Sequence, residues 1–373
     1  MNIGTQRQIK TITCHEVYNY GASLQEMALL HFLKNKGYEA KTISYKPSYL
    51  TYHHKIFSCA NPAWSKNILM KFAYICLKLP SRLLLELRKY RFNSFSKRYI
   101  SSTVDTYTSN EELKNKVPSG DVYICGSDQI WNPLFPNGKD PAFYLDFVPE
   151  GKLAISYAAS FATDSIQDNH VDFLKNKLDR LDHISVRETS AKSMLENLGV
   201  DNITQVLDPV FLLEINFWEK FRKSNLLGDY IFIYDFDSNP LVKWISLILK
   251  KKFGYKIITI NKNIKYADKN FYLNGPDVFL NLVSNSQIVL TTSFHAVAFA
   301  LIFKKKLGVF NRNININTRM RDLLDLLGLG QNLFTTLDGF NPEDLEIDYP
   351  IVELILEKSI MSSKKYLLNA LDR

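Results

Sequence analysis

The sequence lacks the short motifs of most nucleotide-dependent and metal-dependent enzymes. It contains neither a G-x-x-x-x-G-K-[ST] phosphate-binding loop nor a G-x-G-x-x-G dinucleotide fingerprint. It also has no H-x-x-x-H pair, no carboxylate cluster and no Cys/His spacing typical of a metal site. These absences argue against a nucleoside triphosphate or dinucleotide as ligand, and they predict no bound metal and no cofactor.

Cysteine and long apolar runs are also scarce. The longest apolar stretch, residues 68–79, is shorter than the roughly 20 residues of a membrane-spanning helix, and Lys71 and Lys78 interrupt it. The first residues include Arg7 and Lys10 but no apolar run of signal-peptide length. We therefore expect a cytoplasmic protein that is not integral to the membrane. No C-x-x-C pair occurs, which favours reduced thiols at Cys14, Cys59, Cys76 and Cys125.

The chain repeatedly shows an apolar strand, a polar loop and an amphipathic helix. This alternation predicts an α/β protein with parallel sheets covered on both faces, whose ligands bind in the loops after the strands. Strands are predicted at residues 10–14, 41–45, 121–125, 153–157, 184–186, 230–234, 256–260 and 287–291. Helices are predicted at 22–36, 189–198, 277–283 and 296–303.

The length of 373 residues suits two domains of roughly 150–200 residues each. The strand–helix pattern breaks at residues 208–229 and then restarts. We therefore place an N-terminal domain at 1–215, a C-terminal domain at 216–335 and a helical tail at 336–373, which we expect to pack against both domains.

The segment 61–100 is strongly basic. It predicts one or two amphipathic helices, interrupted at Pro80. Such a segment fits peripheral docking at an anionic membrane, and it equally fits a helical insertion with a solvated basic face. The formal net charge of +8 likewise favours anionic partners. The basic residues are Lys66, Lys71, Lys78, Arg82, Arg88, Lys89, Arg91, Lys97 and Arg98, against the single acid Glu86.

Two polar loops of the first domain are candidate binding elements. Gly21 allows a sharp entry into a helix whose free N–H groups would face the cleft, although an ordinary glycine turn explains it as well. The second loop places a hydroxyl, a carboxylate, amides and an indole directly after a buried strand, which is costly unless these groups are exposed or hydrogen-bonded. Candidate residues are Asn19, Tyr20, Gly21 and Gln25 in the first loop, and Ser127, Asp128, Gln129, Trp131 and Asn132 in the second.

Two further loops carry charge at strand ends. Arg187 and Glu188 follow a predicted strand. If they face a cleft, the guanidinium can bind a carboxylate or phosphate in bidentate fashion. The alternative is that the Arg-Glu pair has a structural role. Ser293, Phe294 and His295 lie where a strand ends and a helix begins. A histidine there can transfer protons, and the alternative is a capping serine beside a half-buried histidine. His295 is the best placed histidine, and His15 is second.

At these loops the sequence resembles the polysaccharide pyruvyl transferase family. The matching segments occur in the family's order between about residues 10 and 330. This sequence has Val210 where the family usually has threonine, and Ala296 where it usually has glycine. A late arginine that is frequent in the family is missing here, and Gln331 and Asn332 lie in its vicinity. The matching segments are Asn19-Tyr20-Gly21-Ala22-x-Leu24-Gln25, Gly126-Ser127-Asp128-Gln129-Ile130-Trp131-Asn132-Pro133, Tyr144-Leu145-Asp146-Phe147, Ser156-Tyr157-Ala158-Ala159-Ser160-Phe161, Val186-Arg187-Glu188, Leu207-Asp208-Pro209 and Ser293-Phe294-His295.

The resemblance implies two Rossmann-like domains facing a cleft, as in glycosyltransferases of the B type. It also implies phosphoenolpyruvate as co-substrate and donor, and a hexose hydroxyl pair that receives pyruvate as a ketal in cell-surface polysaccharide biosynthesis. Family acceptors are often linked to polyprenyl diphosphate at the inner membrane face, which would give the basic segment a purpose. Nucleic acid is not an expected partner.

Within that interpretation the candidate residues have hypothetical roles. Arg187 would bind the donor's carboxylate or phosphate, Ser293 would hold its other anionic end, and His295 would act as general acid or base. Asp128 would accept the acceptor's proton, and the remaining residues of both loops would orient the sugar or close the cleft. Two alternatives stay open: a nucleotide-sugar glycosyltransferase of the same fold, and a non-catalytic carbohydrate-binding relative.

Overall fold

A computed structural model describes residues 6–51, 64, 67–313 and 316–372. The first sheet is entirely parallel, with the strand order β3-β2-β1-β4-β5. A parallel pair, β6 and β7, extends it through single bridges from Ile155 to His183 and from Ala159 to Val186. Its strands are β1 (Gln8–Ile12), β2 (Glu39–Tyr45), β3 (Ser102–Tyr107), β4 (Val122–Cys125), β5 (Leu153–Ser156), β6 (Ile184–Val186) and β7 (Ile203–Gln205). The helices are α1 (Tyr20–Asn35), α2 (Ser48–Thr51), α3 (Ile68–Tyr99), α4 (Asn110–Asn115), α5 (Asp168–Leu178) and α6 (Thr189–Asn197).

The second sheet repeats this topology. It too is entirely parallel, with the order β10-β9-β8-β11-β12-β13. Its strands are β8 (Tyr230–Tyr234), β9 (Lys256–Thr259), β10 (Lys269–Asn270), β11 (Ile288–Thr291), β12 (Lys306–Phe310) and β13 (Leu333–Phe334). The helices are α7 (Ile215–Glu219), α8 (Pro240–Phe253), α9 (Pro276–Asn285), α10 (Phe294–Ile302), α11 (Thr318–Leu326) and α12 (Tyr349–Leu371).

The α/β class and the two Rossmann-like, parallel sheets expected from the sequence are confirmed. Central strands such as β4 and β8 are apolar throughout and buried along their whole length, as expected for strands with helices on both faces. Strand β12 was missed, because its sequence begins with a lysine and contains Gly308. The first sheet ends at Gln205 and the second begins at Tyr230, on either side of the predicted boundary.

The two domains share one continuous apolar core. Helix α1 of the first domain packs against α9 and α10 of the second, and buried side chains of all three belong to one cluster. Helix α12 contacts both domains, because Tyr349 donates to the Lys305 carbonyl while Ser363 accepts from the Leu207 amide. Extensive apolar contact of this kind restricts relative domain movement.

The prediction of a helix interrupted at Pro80 was wrong. Helix α3 continues from Ile68 to Tyr99 without a break. A proline removes one backbone donor, and the strong helix formers on either side maintain the helix. Residues 61–63, 65 and 66 of the basic segment lie outside the described residues, as does Cys59. None of the helices described is both long enough and apolar enough to cross a membrane.

Candidate active site

A cleft lies where the carboxyl ends of the two sheets face each other. Strand order reverses between β1 and β4 in the first sheet and between β8 and β11 in the second. Ligands of doubly wound sheets bind at such switch points. The loops after these strands and after β12 surround a cavity of about 230 Å³. Its walls include Asn19, Asp128, Gln129, Phe236, Thr292, Ser293, Phe294, His295, Arg312 and Arg319.

A buried cluster of charged side chains joins the two domains beside this cavity. Nη2 of Arg187 lies 2.8 Å from Oδ2 of Asp208, and Nε2 of His295 lies 3.5 Å from the same oxygen. All three side chains are buried. Arg187 and Asp208 follow strands of the first domain, whereas His295 begins α10 of the second. The cluster can form only when both domains are folded and in contact.

The Asp208 carboxylate is ionised and holds its two neighbours in place. Burial alone would raise its pKa, but Arg187 and His295 outweigh that effect and lower the pKa to about 2. Its Oδ1 accepts the Val210 amide at 3.0 Å. Asp208 belongs to the Leu207-Asp208-Pro209 segment, for which the sequence predicted no role.

Some N–H donors of Arg187 have no hydrogen-bond partner. One Nη2 proton goes to the Ser127 hydroxyl, while Nε and Nη1 are buried and have no partner. Buried donors without acceptors are costly, so unsatisfied N–H groups beside a cavity indicate a place for an anionic ligand. The guanidinium also lies 4.8 Å from the centre of the Phe294 ring, which fixes its plane.

Gly21 allows the two domains to approach at His295. A Cβ atom at position 21 would lie 1.9 Å from Nδ1 of His295, so that no larger residue fits without displacing the imidazole. Helices α1 and α10 therefore meet with their first turns in contact. Gly126 is required for a different reason, because its φ of +117° is a conformation that side chains rarely adopt and an added Cβ would lie 2.2 Å from the Tyr157 carbonyl oxygen.

The first turn of α10 presents its amide groups to the cleft. Ser293 occupies the N-cap position, but its side chain does not cap the helix, and its own N–H is bonded to the Thr291 hydroxyl at 2.9 Å. The interpretation of Ser293 as an ordinary capping residue is therefore wrong. Free N–H groups and the helix dipole make this end of α10 favourable for an anion.

Two arginines that were not predicted from the sequence line the same cavity. Arg319 on α11 lies 3.3 Å from Asp128, and burial lowers its pKa to about 10. Arg312 after β12 lies 3.2 Å from Asp237 and stacks on Phe236. Both follow a buried strand, and this is the signal that marked the other loops. They escaped notice because β12 itself was missed.

Several residues of the Gly126–Pro133 motif lie in the core. Trp131 is fully buried, donates its indole N–H to the Phe143 carbonyl at 3.0 Å and stacks on Tyr144. Asn132 is also fully buried, and its side chain holds Gln129 and the Leu134 amide. The expectation that these two side chains contact a sugar needs correction, because neither has a surface in the cleft.

Other candidate residues support the cleft from behind. Gln25 accepts the Ser127 amide and donates to Thr13, linking α1 to the loop after β4. Tyr20 stacks on Phe279 of the second domain and donates to the Tyr272 and Asn274 carbonyls. Its side chain therefore fastens the domains together.

Glu188 and His15 are buried away from the cavity walls. Burial raises the pKa of Glu188, whose Oε1 accepts from Ser160. For His15, burial would lower the pKa, but Glu26 at 2.7 Å outweighs this and raises it.

The candidates that the structure brings together around the cavity are Asn19, Asp128, Gln129, Ser293, Phe294 and His295, with Arg187 directly behind them. Among the described residues, no group of three His, Cys, Asp or Glu could hold a metal ion.

Comparison with solved structures finds similar chain folds. A UDP-N-acetylglucosamine 2-epimerase from Rickettsia bellii is 13% identical, with a TM-score of 0.49 and coverage of 98% of this chain and 96% of that one. The epimerase from Neisseria meningitidis is 12% identical, with a TM-score of 0.48 and coverage of 98% and 99%. No curated protein sequence matches this chain.

A family model matches most of the sequence. The model is described as polysaccharide pyruvyl transferase, and it matches residues 19–313. The match begins at Asn19 on one side of the cleft, ends one residue after Arg312 on the other, and includes the whole Arg187–Asp208–His295 cluster. The chain therefore belongs to the polysaccharide pyruvyl transferase family.

Proposed function

We propose that this protein transfers the pyruvyl group of phosphoenolpyruvate to two hydroxyls of a sugar, forming a ketal and releasing phosphate. Family membership and one observation carry the proposal. The first turn of α10 and His295 line one cavity, and the unpartnered donors of Arg187 lie directly behind that wall. A small, highly anionic donor would satisfy these groups.

The donor has two anionic ends, a carboxylate and a phosphate. Arg187 and the amides at the start of α10 would hold one end, and Arg319 would neutralise part of the other. Arg319 already lies 3.3 Å from Asp128, so donor binding would compete with or complete that pair. Positive charge on several sides also stabilises phosphate as it leaves.

The reaction requires one proton at carbon and two new carbon–oxygen bonds. Protonation of the methylene carbon of phosphoenolpyruvate leaves an electron-poor C2, to which the first sugar hydroxyl adds while losing its own proton. The C2–O bond to phosphate then breaks, with the electron pair leaving on phosphate. The second hydroxyl adds to C2, loses its proton and closes the ring.

His295 is the residue we assign to proton transfer. Asp208 lies 3.5 Å from Nε2 and, as an ionised carboxylate, holds the ring in place. Asp128 remains the candidate base for an acceptor hydroxyl, with Gln129 and Asn19 on the adjoining wall to orient the sugar.

Phosphate release from phosphoenolpyruvate tests the proposal. We would measure it with a panel of galactosides, glucosides and mannosamine derivatives, for the wild type and for His295→Ala. Acceptor-dependent release should fall by about 10²- to 10⁴-fold in the variant. His31→Ala is the control, because His31 lies three turns along α1 from its cleft end.

Two outcomes would contradict the proposal. Release that is unchanged in His295→Ala would remove His295 from the mechanism. No release with any acceptor, together with binding of a nucleoside diphosphate, would instead support a nucleotide-sugar glycosyltransferase.

A further inference from the structure

The first half of α3 exposes an unusual number of large apolar side chains. Ile68 is 84% exposed, Phe72 is 68% exposed and Leu77 is 70% exposed. Exposed single apolar residues are common, but a contiguous set on one helix marks an interaction surface. Other exposed members in this half are Leu69, Met70 and Leu83, and the exposed apolar surface continues to Leu84, Leu87 and Tyr90 at the start of the second half.

Five of these residues follow the helical repeat, whereas Leu77 and Leu84, nine and sixteen positions after Ile68, lie on another side of the helix. Phe72, Leu83, Leu87 and Tyr90 stand four, fifteen, nineteen and twenty-two positions after Ile68. At about 100° per residue these positions share one face of a helix. Exposed Cys76 falls within the same face. The apolar surface is therefore a stripe along the helix.

A basic stripe runs beside the apolar one. Lys71, Lys78, Arg82 and Lys89 are separated by seven, eleven and eighteen positions from the first, which again is one face of a helix. The only acid in α3 is Glu86, which pairs with Lys89. Apolar and basic stripes side by side are complementary to a surface that offers hydrocarbon beneath a layer of negative charge.

The second half of α3 fastens the helix beside the cleft. Phe92 and Phe95 are buried in the core shared by the two domains. Arg88 donates to the carbonyls of Tyr18 and Tyr272, one in each domain. Because Tyr18 directly precedes Asn19 in the cavity wall, the exposed half of α3 is rigidly connected to the edge of the cleft.

We propose that the exposed half of α3 docks in the plane of an anionic phospholipid bilayer. The apolar stripe would enter the region between headgroups and acyl chains, and the basic stripe would contact anionic headgroups. The docked helix would hold the cleft close to a sugar acceptor carried by the membrane. That last consequence rests on the proposed function, whereas docking itself does not.

Sedimentation with vesicles tests docking directly. The full chain should sediment with vesicles of phosphatidylcholine and phosphatidylglycerol, and much less with phosphatidylcholine alone. Lys71→Gln/Lys78→Gln should weaken binding to anionic vesicles by about 10- to 30-fold, and added salt should weaken wild-type binding. Phe72→Ser/Leu83→Ser should weaken it by at least about tenfold, because two side chains no longer enter the bilayer.

Controls use exposed residues elsewhere on the surface. Leu226→Ser removes an apolar side chain that is 90% exposed, and Lys192→Gln removes a charge on α6. Neither should change vesicle binding. A fluorophore on Cys76 in a Cys59→Ser background should shift its emission to the blue with anionic vesicles, since Cys14 and Cys125 are buried.

Several results would overturn docking. These are equal sedimentation with both vesicle types, no sedimentation with either, or a dimer in solution that Phe72→Ser/Leu83→Ser dissociates. Phosphate release with a short water-soluble acceptor separates the two proposals. It should be unchanged in the α3 variants if they are defective only in docking, and it would be absent throughout if the proposed function were wrong.

Discussion

The two domains share a strand order but use their loops differently. In the first domain, the Gly126–Pro133 loop turns Trp131 and Asn132 inward, where all their polar atoms serve internal bonds or packing. In the second domain, the loop after β11 turns His295 and the first turn of α10 toward the cavity. The Gly126–Pro133 loop, the most distinctive motif of the sequence, therefore has a mainly structural role. The less distinctive loop after β11 supplies groups that are available for chemistry.

The difference has a physical cause. An indole or amide after a buried strand can satisfy its polar atoms with nearby carbonyls and amides, and packing then favours the buried position. A helix N-terminus cannot satisfy its own first amides and leaves them for a ligand. Identity at a motif indicates the family, whereas unsatisfied donors indicate where a ligand binds.

The largest effect is expected where the domains touch. Gly21→Ala places a methyl group within 1.9 Å of the His295 ring, so the imidazole or the helix must move. Displacing a catalytic group by about 1 Å can cost 10²-fold in rate, and we expect a loss of kcat of at least that size. Phosphate release measures it. Gly330→Ala is the matched control, because nothing lies within 4 Å of its added Cβ. Equal loss in both variants would contradict the proposed close approach.

The second effect concerns acid stability. The pKa of Asp208 falls from an ordinary value near 3.8 to about 2 in the folded protein, so its contribution is present above pH 4 and is lost as pH falls toward 2. The shift corresponds to about 2 kcal/mol. Urea unfolding of Asp208→Asn should show lower stability than the wild type at neutral pH, and the difference should shrink by about 2 kcal/mol in acid. Asp164→Asn, at an exposed site, is the control. A constant difference across pH would contradict the assigned pKa.

The third effect distinguishes a structural role of Trp131 in the core from a role in sugar binding. Trp131→Phe removes the hydrogen bond to the Phe143 carbonyl and should lower the free energy of unfolding by about 1.5 kcal/mol, because a buried acceptor loses its partner. The KM for the sugar acceptor should not change. Denaturant unfolding and steady-state kinetics on one preparation test both statements. A raised acceptor KM without loss of stability would return Trp131 to the binding site.

The smallest effect is expected at the partly exposed edge of the cavity. Arg312→Gln should raise the KM for phosphoenolpyruvate by about fivefold with little change in kcat, because solvent screens this guanidinium and Asp237 already partly neutralises it. Arg321→Gln is the control, since Arg321 is more exposed and pairs with Asp164. Equal KM values in the two variants would exclude Arg312 from donor binding.

Sequence patterns predicted much of the fold and part of the site. Apolar strands such as β8 and β11 were found within a residue or two, because burial on both faces leaves a continuous apolar run. Sequence patterns also placed Asp128 and His295 beside one cavity, as in the structure, because polar residues at strand ends converge on one edge of the sheet. Arg319 was not found, since its position depends on β12 and α11 packing beside the first domain. The burial of Trp131 was also missed, because a loop indole can face either way.

The sequence by itself determined the fold class, the positions of the loops that carry polar side chains at strand ends, and the family. Periodicity and local turn chemistry are properties of neighbouring residues, and they survive in the linear order. Only the tertiary structure decided that Arg187, Asp208 and His295 form one cluster, that Gly21 makes room for it, and that half of α3 leaves large apolar side chains exposed. These depend on contacts between residues far apart in the chain, and the energies of burial and pairing exist only once both domains have closed on each other.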